Sequence, residues 1–402
     1  MTSTSLWRFV QTLAVGAIVG LGCGVPAPSP APHVSYRRAS PPSSAIPAVT
    51  ESSSSSVDAG EAPTQPRANQ ATVVAGGDVE LARAMGKVLL ANPSHDPFKT
   101  IAAQLGTGDI RFVNLESQLS EQGGVTMSAT NSLVFVGPPS GADALARARM
   151  TIVSTANNHA WDYGRRAFEE TLDNLDRVGV LHVGTGKTHD DAVRPVIVDR
   201  GGFRIAFVAV TDIWNQGPLD KHVAKDLVAS ADAEALAAQV TLLKKDPKID
   251  AVLVSYHGGD EYQDAPTLRT RAIVRAAIDA GADAVLGHHV HVVQGIEWRE
   301  GRPILYSLGN LLMQRHRDHP ETGYGYLARL VLARGVRPRL WACPYRIVGL
   351  VPYPFVGDPG RKVYEAAFFL RLRQVSALLG TRMTLGETDA DGCAELTPRD
   401  GK

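Results

Sequence analysis

From residue 71 onward the chain repeats one pattern: a short apolar and β-branched run, a stop on polar residues, then a stretch with apolar residues at helical spacing. Apolar runs at 72–75, 110–113, 150–154, 251–256 and 282–286 predict buried strands. Stretches at 79–90, 165–178, 230–245 and 267–280 predict helices between them. Gly201 and Gly202 divide 194–199 from 203–210 and predict a hairpin, and runs at 292–298 and 303–308 predict two further strands. Past residue 335 the pattern changes. A run at 340–351 and a helix at 362–379 suggest a small C-terminal extension, 336–402, whose polar tail from Gly386 is expected to be loose.

The residues that stop each run are more informative than the runs. Asp78 follows Gly76 and Gly77; Asn114 and Glu116 stand on alternate positions; Asn157, Asn158 and His159 are followed by Asp162 and Gly164. His257 leads into Gly258, Gly259, Asp260, Glu261 and Tyr262, and the run to Leu286 ends in Gly287-His288-His289-Val290-His291. One polar strand end means little. A succession of them describes a sheet whose carboxyl edge carries ligand-type side chains.

Ahead of this region the pattern is different. Residues 1–8 carry one positive charge and residues 9–21 are apolar, too short a run to span a bilayer comfortably, so 1–23 reads as an export signal. Gly22-Cys23 resembles the end of a lipoprotein signal, although Gly20 stands where such signals usually have Leu. Lipidation of Cys23 and simple secretion are both open. Residues 24–70 are rich in Pro, Ser and Ala, cannot bury enough apolar surface to fold, and read as a tether. Charge is balanced at 41 basic against 41 acidic residues with no polybasic run, which argues against nucleic acid and against an anionic membrane surface as partners. Of the three cysteines, Cys343 and Cys393 are left to pair in an oxidising compartment or to remain two free thiols.

Three of the chain's 12 histidines fall within four positions, at 288, 289 and 291. In an extended segment His289 and His291 project to the same side and can converge on one point, with His288 facing the other way as a supporting residue. Asp78 has two readings, a helix N-cap or a metal carboxylate at the mouth of a sheet. Gly184-Thr185-Gly186-Lys187-Thr188 resembles the end of a phosphate-binding loop, but Leu181 stands where the full pattern needs Gly, so it is read as a loop. Taken together, Asp78, Glu116, Asn158, His257, His289 and His291, with His159 beside them, form an oxygen and imidazole set without thiolate. Such a set suits Mn, Fe or Zn in a hydrolytic site. Six ligands are too many for one catalytic zinc but fit two divalent ions sharing a bridging group, an arrangement suited to in-line phosphoryl displacement.

Gly77-Asp78, Asn114-Leu115-Glu116, Ala156-Asn157-Asn158-His159 with Asp162 and Gly164, His257 to Tyr262, Gly287 to His291, and Tyr306-Ser307-Leu308-Gly309-Asn310 occur in order across residues 71–312. In this the chain resembles the bacterial capsule-synthesis proteins of the poly-γ-glutamate type (CapA or PgsA), relatives of the calcineurin-like metallophosphoesterases. The resemblance implies an α/β fold of four layers, two mixed sheets flanked by helices, in a catalytic domain at 71–335. It implies that Asp78 and His291 hold one metal, that Asn158, His257 and His289 hold the other, and that Glu116 bridges them. His159 would act on the leaving oxygen, with Asp162 and Glu261 orienting histidines. It further implies an exported envelope enzyme acting on a phosphorylated or polymeric substrate, or a non-catalytic component of a capsule-synthesis membrane complex on the same fold. Hydrolysis or transfer at an amide is a third possibility. Two positions depart from the relatives' pattern: Glu80 replaces the His that metallophosphoesterases carry two residues after the first Asp, and is expected to face solvent on a first helical turn, and Leu311 replaces an aromatic residue.

Overall fold

Alternation along the strands decides which face each residue serves. In Ile110–Leu115 (β2), Val113 and Leu115 join an apolar cluster with Met85, Leu89, Ile101 and Leu145 of the flanking helices. Phe112, between them, points the other way and stacks on Phe207 of Phe203–Thr211 (β8), ring centroids 5.8 Å apart. In β8 the neighbours of Phe207, Ala206 and Val208, face a second cluster with Leu236, Val240, Ile273 and Ile278. Helix, sheet, sheet, helix is therefore the order of layers. Each fully buried Phe between the sheets contributes about 1.5–3 kcal/mol over an exposed one.

The computed structural model describes residues 68–121 and 133–399. The expected export signal, Cys23 and all but the last residues of the expected tether lie outside them. The first sheet centres on Gln70–Val79 (β1), with β2, Ile152–Ser154 (β5) and Leu181–Val183 (β6) following it in parallel. On the other side of β1 run Tyr324–Ala333 (β14), Val336–Val348 (β15), Ala394–Pro398 (β18) and Met383–Thr388 (β17), all antiparallel to their neighbours. The second sheet has β8, Ala251–His257 (β9), Ala284–His288 (β10) and Arg302–Leu305 (β12) in parallel. Val196–Arg200 (β7) and Ile296–Arg299 (β11) run antiparallel at its two edges. The fold is α/β with two mixed sheets.

Four local expectations are corrected. Gly76 and Gly77 do not turn the chain. They lie inside β1, and the helix expected from Val79 begins only at Arg83–Ala91. A Cβ on Gly77 would sit 1.7 Å from the carbonyl oxygen of Gly309, so glycine is what lets Asn310–Leu312 (β13) lie alongside the end of β1. Of the strand expected at 292–298 only β11 forms, and the strand expected at 303–308 ends at Leu305. The strands formed after residue 335 belong to the first sheet, and the tail expected to be loose from Gly386 pairs β17 with β18. Cys343 and Cys393 form a disulfide that ties β15 to the start of β18 across 50 residues, a crosslink of a kind that stabilises by about 2–4 kcal/mol. The helix Arg361–Ala377 reaches the second sheet, where the Ile296 amide donates to Ser376 Oγ at 2.9 Å.

Gly184 to Thr188 remains a loop. Thr188 caps only the five-residue helix His189–Val193, and a Cβ on Gly186 would fall 2.3 Å from Asp191 Cβ, so the loop is packed against its own helix.

Candidate metal centre

The parallel strands of both sheets end at one place, and their last residues meet there. Asp78 and Asn114 are paired in register at the ends of β1 and β2, and His257 and His288 at the ends of β9 and β10. Asp78, Asn114, Glu116, His257 and His288 are all buried, with at most 1% of the surface exposed. Five chemically polar residues cannot be taken out of water at the seam of two sheets without compensation, so the question is what each one meets.

Two overlapping groups account for most of them. Ligand atoms of Glu116, His257 and His289 lie within 4.8 Å of one another, and so do those of Asp78, Glu116 and His291. Glu116 belongs to both. Asn158 joins the first group, its Oδ1 2.8 Å from His257 Nε2. Asn114 stands between the groups: its Nδ2 donates to Asp78 Oδ1 at 2.8 Å and is 3.2 Å from His257 Nδ1. His291 Nδ1 is 2.9 Å from Asn310 Oδ1, and the Asn310 amide in turn donates to the Thr322 carbonyl. Imidazoles held in this way by a second polar partner are the usual arrangement around a metal.

Two features show that the set fits cations. Both Glu116 carboxylate oxygens are buried without a hydrogen-bond donor among the described residues, and His289 Nδ1 is orphaned as well. Buried carboxylates are nearly always hydrogen-bonded, and a fully desolvated one is tolerable only beside positive charge. The electrostatics agree. Burial, with Asp78 next to it, pushes the Glu116 carboxyl well above its ordinary range. Burial would also raise Asp78, but His288 and His291 overcome it and hold that carboxyl well below the usual value. Burial pulls His291 down, yet Glu116 and Asp78 push it up to about 10, whereas burial and the neighbouring His291 lower His289 to about 3. Binding a cation to such a set displaces its protons.

The histidine pair converges by a route that differs from the expected one. β10 ends at His288, and His289 and His291 lie beyond it with φ of 91° and 60°. The two rings meet, with centroids 6.0 Å apart, through left-handed backbone and not through the alternation of a strand. Non-glycine residues rarely hold positive φ, and where they do the strain clusters at functional sites. The His289 amide donates to Asp78 Oδ2 at 3.1 Å, which anchors the turn. His288 is buried and faces Asp78, with Nδ1 3.4 Å from Oδ1.

His159 lies at the edge of the centre. Its Nδ1 is 2.7 Å from Asp162 Oδ2, and its Nε2 is 3.9 Å from Glu116 Oε1. Asp162 also accepts from the Phe135 amide, and the Phe135 ring stacks on His159 with centroids 3.9 Å apart. Asn157 Oδ1 receives the His159 amide while Asn157 Nδ2 donates to the Leu115 carbonyl, so the loop is tied to the end of β2. Glu261, expected to orient a histidine, is exposed and is hydrogen-bonded by Tyr262. Glu80, expected to face solvent, is 3% exposed: β1 carries it inward instead of a helical turn carrying it out, and Arg83 takes both of its oxygens. Leu311 is fully buried in the helix-side cluster.

His159 and His291 open onto a cleft of about 560 Å³. Arg83, Arg315 and Arg317 line it against one exposed carboxylate, Glu261. Its rim carries Tyr262 stacked on His319 at 4.1 Å, with His316 5.1 Å from His319. Sequence reasoning passed over Asn310, Arg83 and these rim aromatics. Asn310 stood in a quoted motif, but nothing local marked it as the partner of a histidine 19 residues earlier.

Residues 72–315 match the family of bacterial capsule synthesis proteins, PGA_cap, which is more than half of the chain. The chain belongs to this family. It is 28% identical over 259 residues to the capsule biosynthesis protein CapA of Bacillus anthracis, covering 63% of this chain and 62% of that one. It is 30% identical over 240 residues to the PGA biosynthesis protein CapA of Bacillus subtilis, covering 60% and 62%. The match thus spans about 62% of the length of these two relatives. Among solved structures, the Thermus thermophilus sulfate thiohydrolase SoxB overlaps 77% of this chain and 61% of its own, with TM-score 0.39 and 14% identity. An overlap of that quality says nothing of chemistry. In this PGA_cap chain the family match ends at the cleft, at Arg315.

Proposed function

We propose that the chain is an exported, dinuclear metal-dependent hydrolase of the phosphoesterase type, working at the cell envelope in capsular poly-γ-glutamate metabolism. The observation that carries the reading is Glu116, buried at the meeting point of two ligand groups with neither oxygen hydrogen-bonded. Asp78 and His291 would hold one ion, Asn158, His257 and His289 the other, and Glu116 both. Bound there, the ions would supply a hydroxide at neutral pH and charge stabilisation for a displacement at phosphorus. The remaining work falls to side chains. His159, kept upright by Asp162 and Phe135, presents Nε2 toward the centre, where it can give a proton to a leaving oxygen. The three arginines of the cleft favour an anionic substrate, which both a phosphate ester and a polyglutamate chain satisfy.

Export is supported by the Cys343–Cys393 disulfide, a bond that persists in oxidising compartments. No helix among the described residues is long and apolar enough to cross a membrane, so attachment would rest on the N-terminal signal or on a lipid at Cys23. Capsule-synthesis proteins in the membrane are the expected partners. Globomycin-sensitive processing is expected if Cys23 is lipidated.

The test is metal analysis of the chain loaded in turn with Mn, Fe and Zn, then hydrolysis of p-nitrophenyl phosphate and of γ-glutamyl peptides. Close to two ions per chain and phosphate-ester turnover are expected, with His159→Ala lowering turnover about 10²–10⁴-fold while metal stays bound. No metal above background with any of the three sinks the proposal. Metal without turnover of any substrate would point to a non-catalytic component, and turnover confined to the peptides to an amide hydrolase.

A further inference from the structure

Arg83 is unusual in both backbone and side chain. Its φ is 44°, in the left-handed region that a long side chain seldom occupies, at the junction where β1 gives way to its helix. Its side chain is 21% exposed and is held on two sides. Nε donates to Glu80 Oε1 at 2.8 Å and Nη2 donates to Glu80 Oε2. The guanidinium carbon lies 4.3 Å over the Phe135 ring, which also stacks on His159. One edge of the fork is therefore spent on Glu80, one face rests on Phe135, and Nη1 has no acceptor among the described residues. Arg83 lines the cleft alongside His159 and His291.

An arginine pinned in this way differs from a mobile surface cation, because its conformational freedom is already lost before any ligand arrives. Strain at a single residue that points a fixed donor into a cleft is the kind of outlier from which function is argued. We propose that Arg83 is an anion-binding residue of this cleft, receiving an oxygen of the substrate's phosphate or carboxylate group on Nη1, with Glu80 as the positioning residue behind it. The proposal rests on the hydrolase reading above. It also gives Glu80 a purpose other than metal ligation: at the position where metallophosphoesterases place a histidine, this chain places the carboxylate that aims an arginine. Both sources of the anion, a phosphate ester and the carboxylates of a polymer, offer the planar or tetrahedral oxygens that a guanidinium reads.

The experiment is calorimetric titration of inorganic phosphate, and separately of glutarate, into the Mn-loaded full chain, with metal content measured on each sample. The wild-type chain is expected to bind phosphate. Arg83→Gln should keep its metal and bind phosphate about ten- to hundredfold more weakly, the loss expected for one charge-assisted hydrogen bond. Arg83→Lys keeps the charge but replaces the planar fork with a compact ammonium on a flexible stem, which cannot grip both Glu80 oxygens and hold a further donor fixed toward the cleft, so it should bind several-fold more weakly than wild type, and it decides the matter if Arg83→Gln does not fold. Glu80→Gln should fall between wild type and Arg83→Gln. A loaded Arg83→Gln or Arg83→Lys chain that binds phosphate as wild type does overturns the proposal and leaves the hydrolase reading standing. Loss of metal in Arg83→Gln overturns it too, since Arg83 would then be bracing the centre. A wild-type chain that takes up no metal removes both. A larger loss for glutarate than for phosphate assigns the contact to carboxylate.

Discussion

On one side of Glu116, His257 Nε2 lies 3.6 Å from the carboxylate, Asn158 Oδ1 is 2.8 Å from that nitrogen, and the His289 ring is 4.9 Å from the His257 ring. On the other side are Asp78 and His291, with His291 Nε2 4.0 Å from Glu116 and Nδ1 3.6 Å from Asp78. The first half would offer an ion three ligands besides Glu116, two of them imidazoles that burial keeps neutral. The second would offer two, and the carboxylates around its imidazole push that group up to about 10, so a cation bound there would have to displace a proton. Glu80, two residues after Asp78, is taken up by Arg83. The difference teaches that the proposed centre would be asymmetric: one half gathers neutral nitrogen and oxygen ligands, while the other is a pocket of opposed charges.

The largest effect expected from breaking this arrangement is at the shared residue. Glu116→Gln keeps the shape but removes the only negative charge common to both halves. Ions bound at such a site supply several kcal/mol of transition-state stabilisation, so turnover of p-nitrophenyl phosphate is expected to fall about 10³-fold or more. Metal content should drop from both halves together. Retention of two ions at full affinity in Glu116→Gln would show that the carboxylate does not bridge.

A smaller effect should separate the halves. Asn114 contacts both of them, donating to Asp78 and lying against His257, whereas Asn310 serves the Asp78 and His291 half, pairing with Asp78 in the sheet and meeting His291 with its side chain. Loss of such a supporting contact typically costs about 10–100-fold in metal affinity. Asn310→Ala should therefore weaken one of two successive metal-binding steps and leave the other unchanged. Asn114→Ala should weaken both. Competition titration with a metal-sensitive dye measures the two steps, and equal behaviour of the two variants would contradict the division of the centre drawn here.

How much of this was legible in the sequence follows from what each feature depends on. The strand ends were legible because a buried parallel strand needs an unbroken apolar run, and the residue that stops the run is then at the carboxyl edge. Asp78, Glu116, Asn158, His257, His289 and His291 were all marked by that rule, and the structure gathers them in one place. Gly76 and Gly77 misled because a pair of glycines reads as a turn until the distant segment that fills the place of their missing side chains is known; here it is Gly309 and Leu311. The positive φ of His289 and His291 is invisible to a spacing argument, which reached convergence of the rings by assuming a strand that is not there. The strands after Val336 were read as an extension because their partner, β14, is set by pairing across the sheet and not by local pattern. Arg83 and the Tyr262, His316 and His319 rim were missed for the same reason: each is defined by neighbours distant in sequence.

The smallest effect expected is also the one that sharpens the comparison most. Glu80 sits two residues after Asp78 and is buried, so position alone nominates it as the missing ligand of the weaker half. Its geometry argues otherwise. Both of its oxygens are taken by the Arg83 fork, and no group of converging ligand atoms among the described residues includes it. A carboxylate with both oxygens already accepting from a guanidinium would have to give up those bonds to coordinate a cation. Recruiting it as a ligand would strand Arg83, part-buried, without its counter-ion, a loss comparable to what the new bond would give. Glu80→Gln is therefore expected to leave both metal-binding steps within about threefold of wild type, well short of the 10–100-fold that even an indirect support of a metal ligand is worth. The same dye titration reads it. A tenfold or greater loss confined to the step that Asn310→Ala weakens would make Glu80 a ligand of the Asp78 and His291 half, and the centre would then be symmetric in ligand number after all.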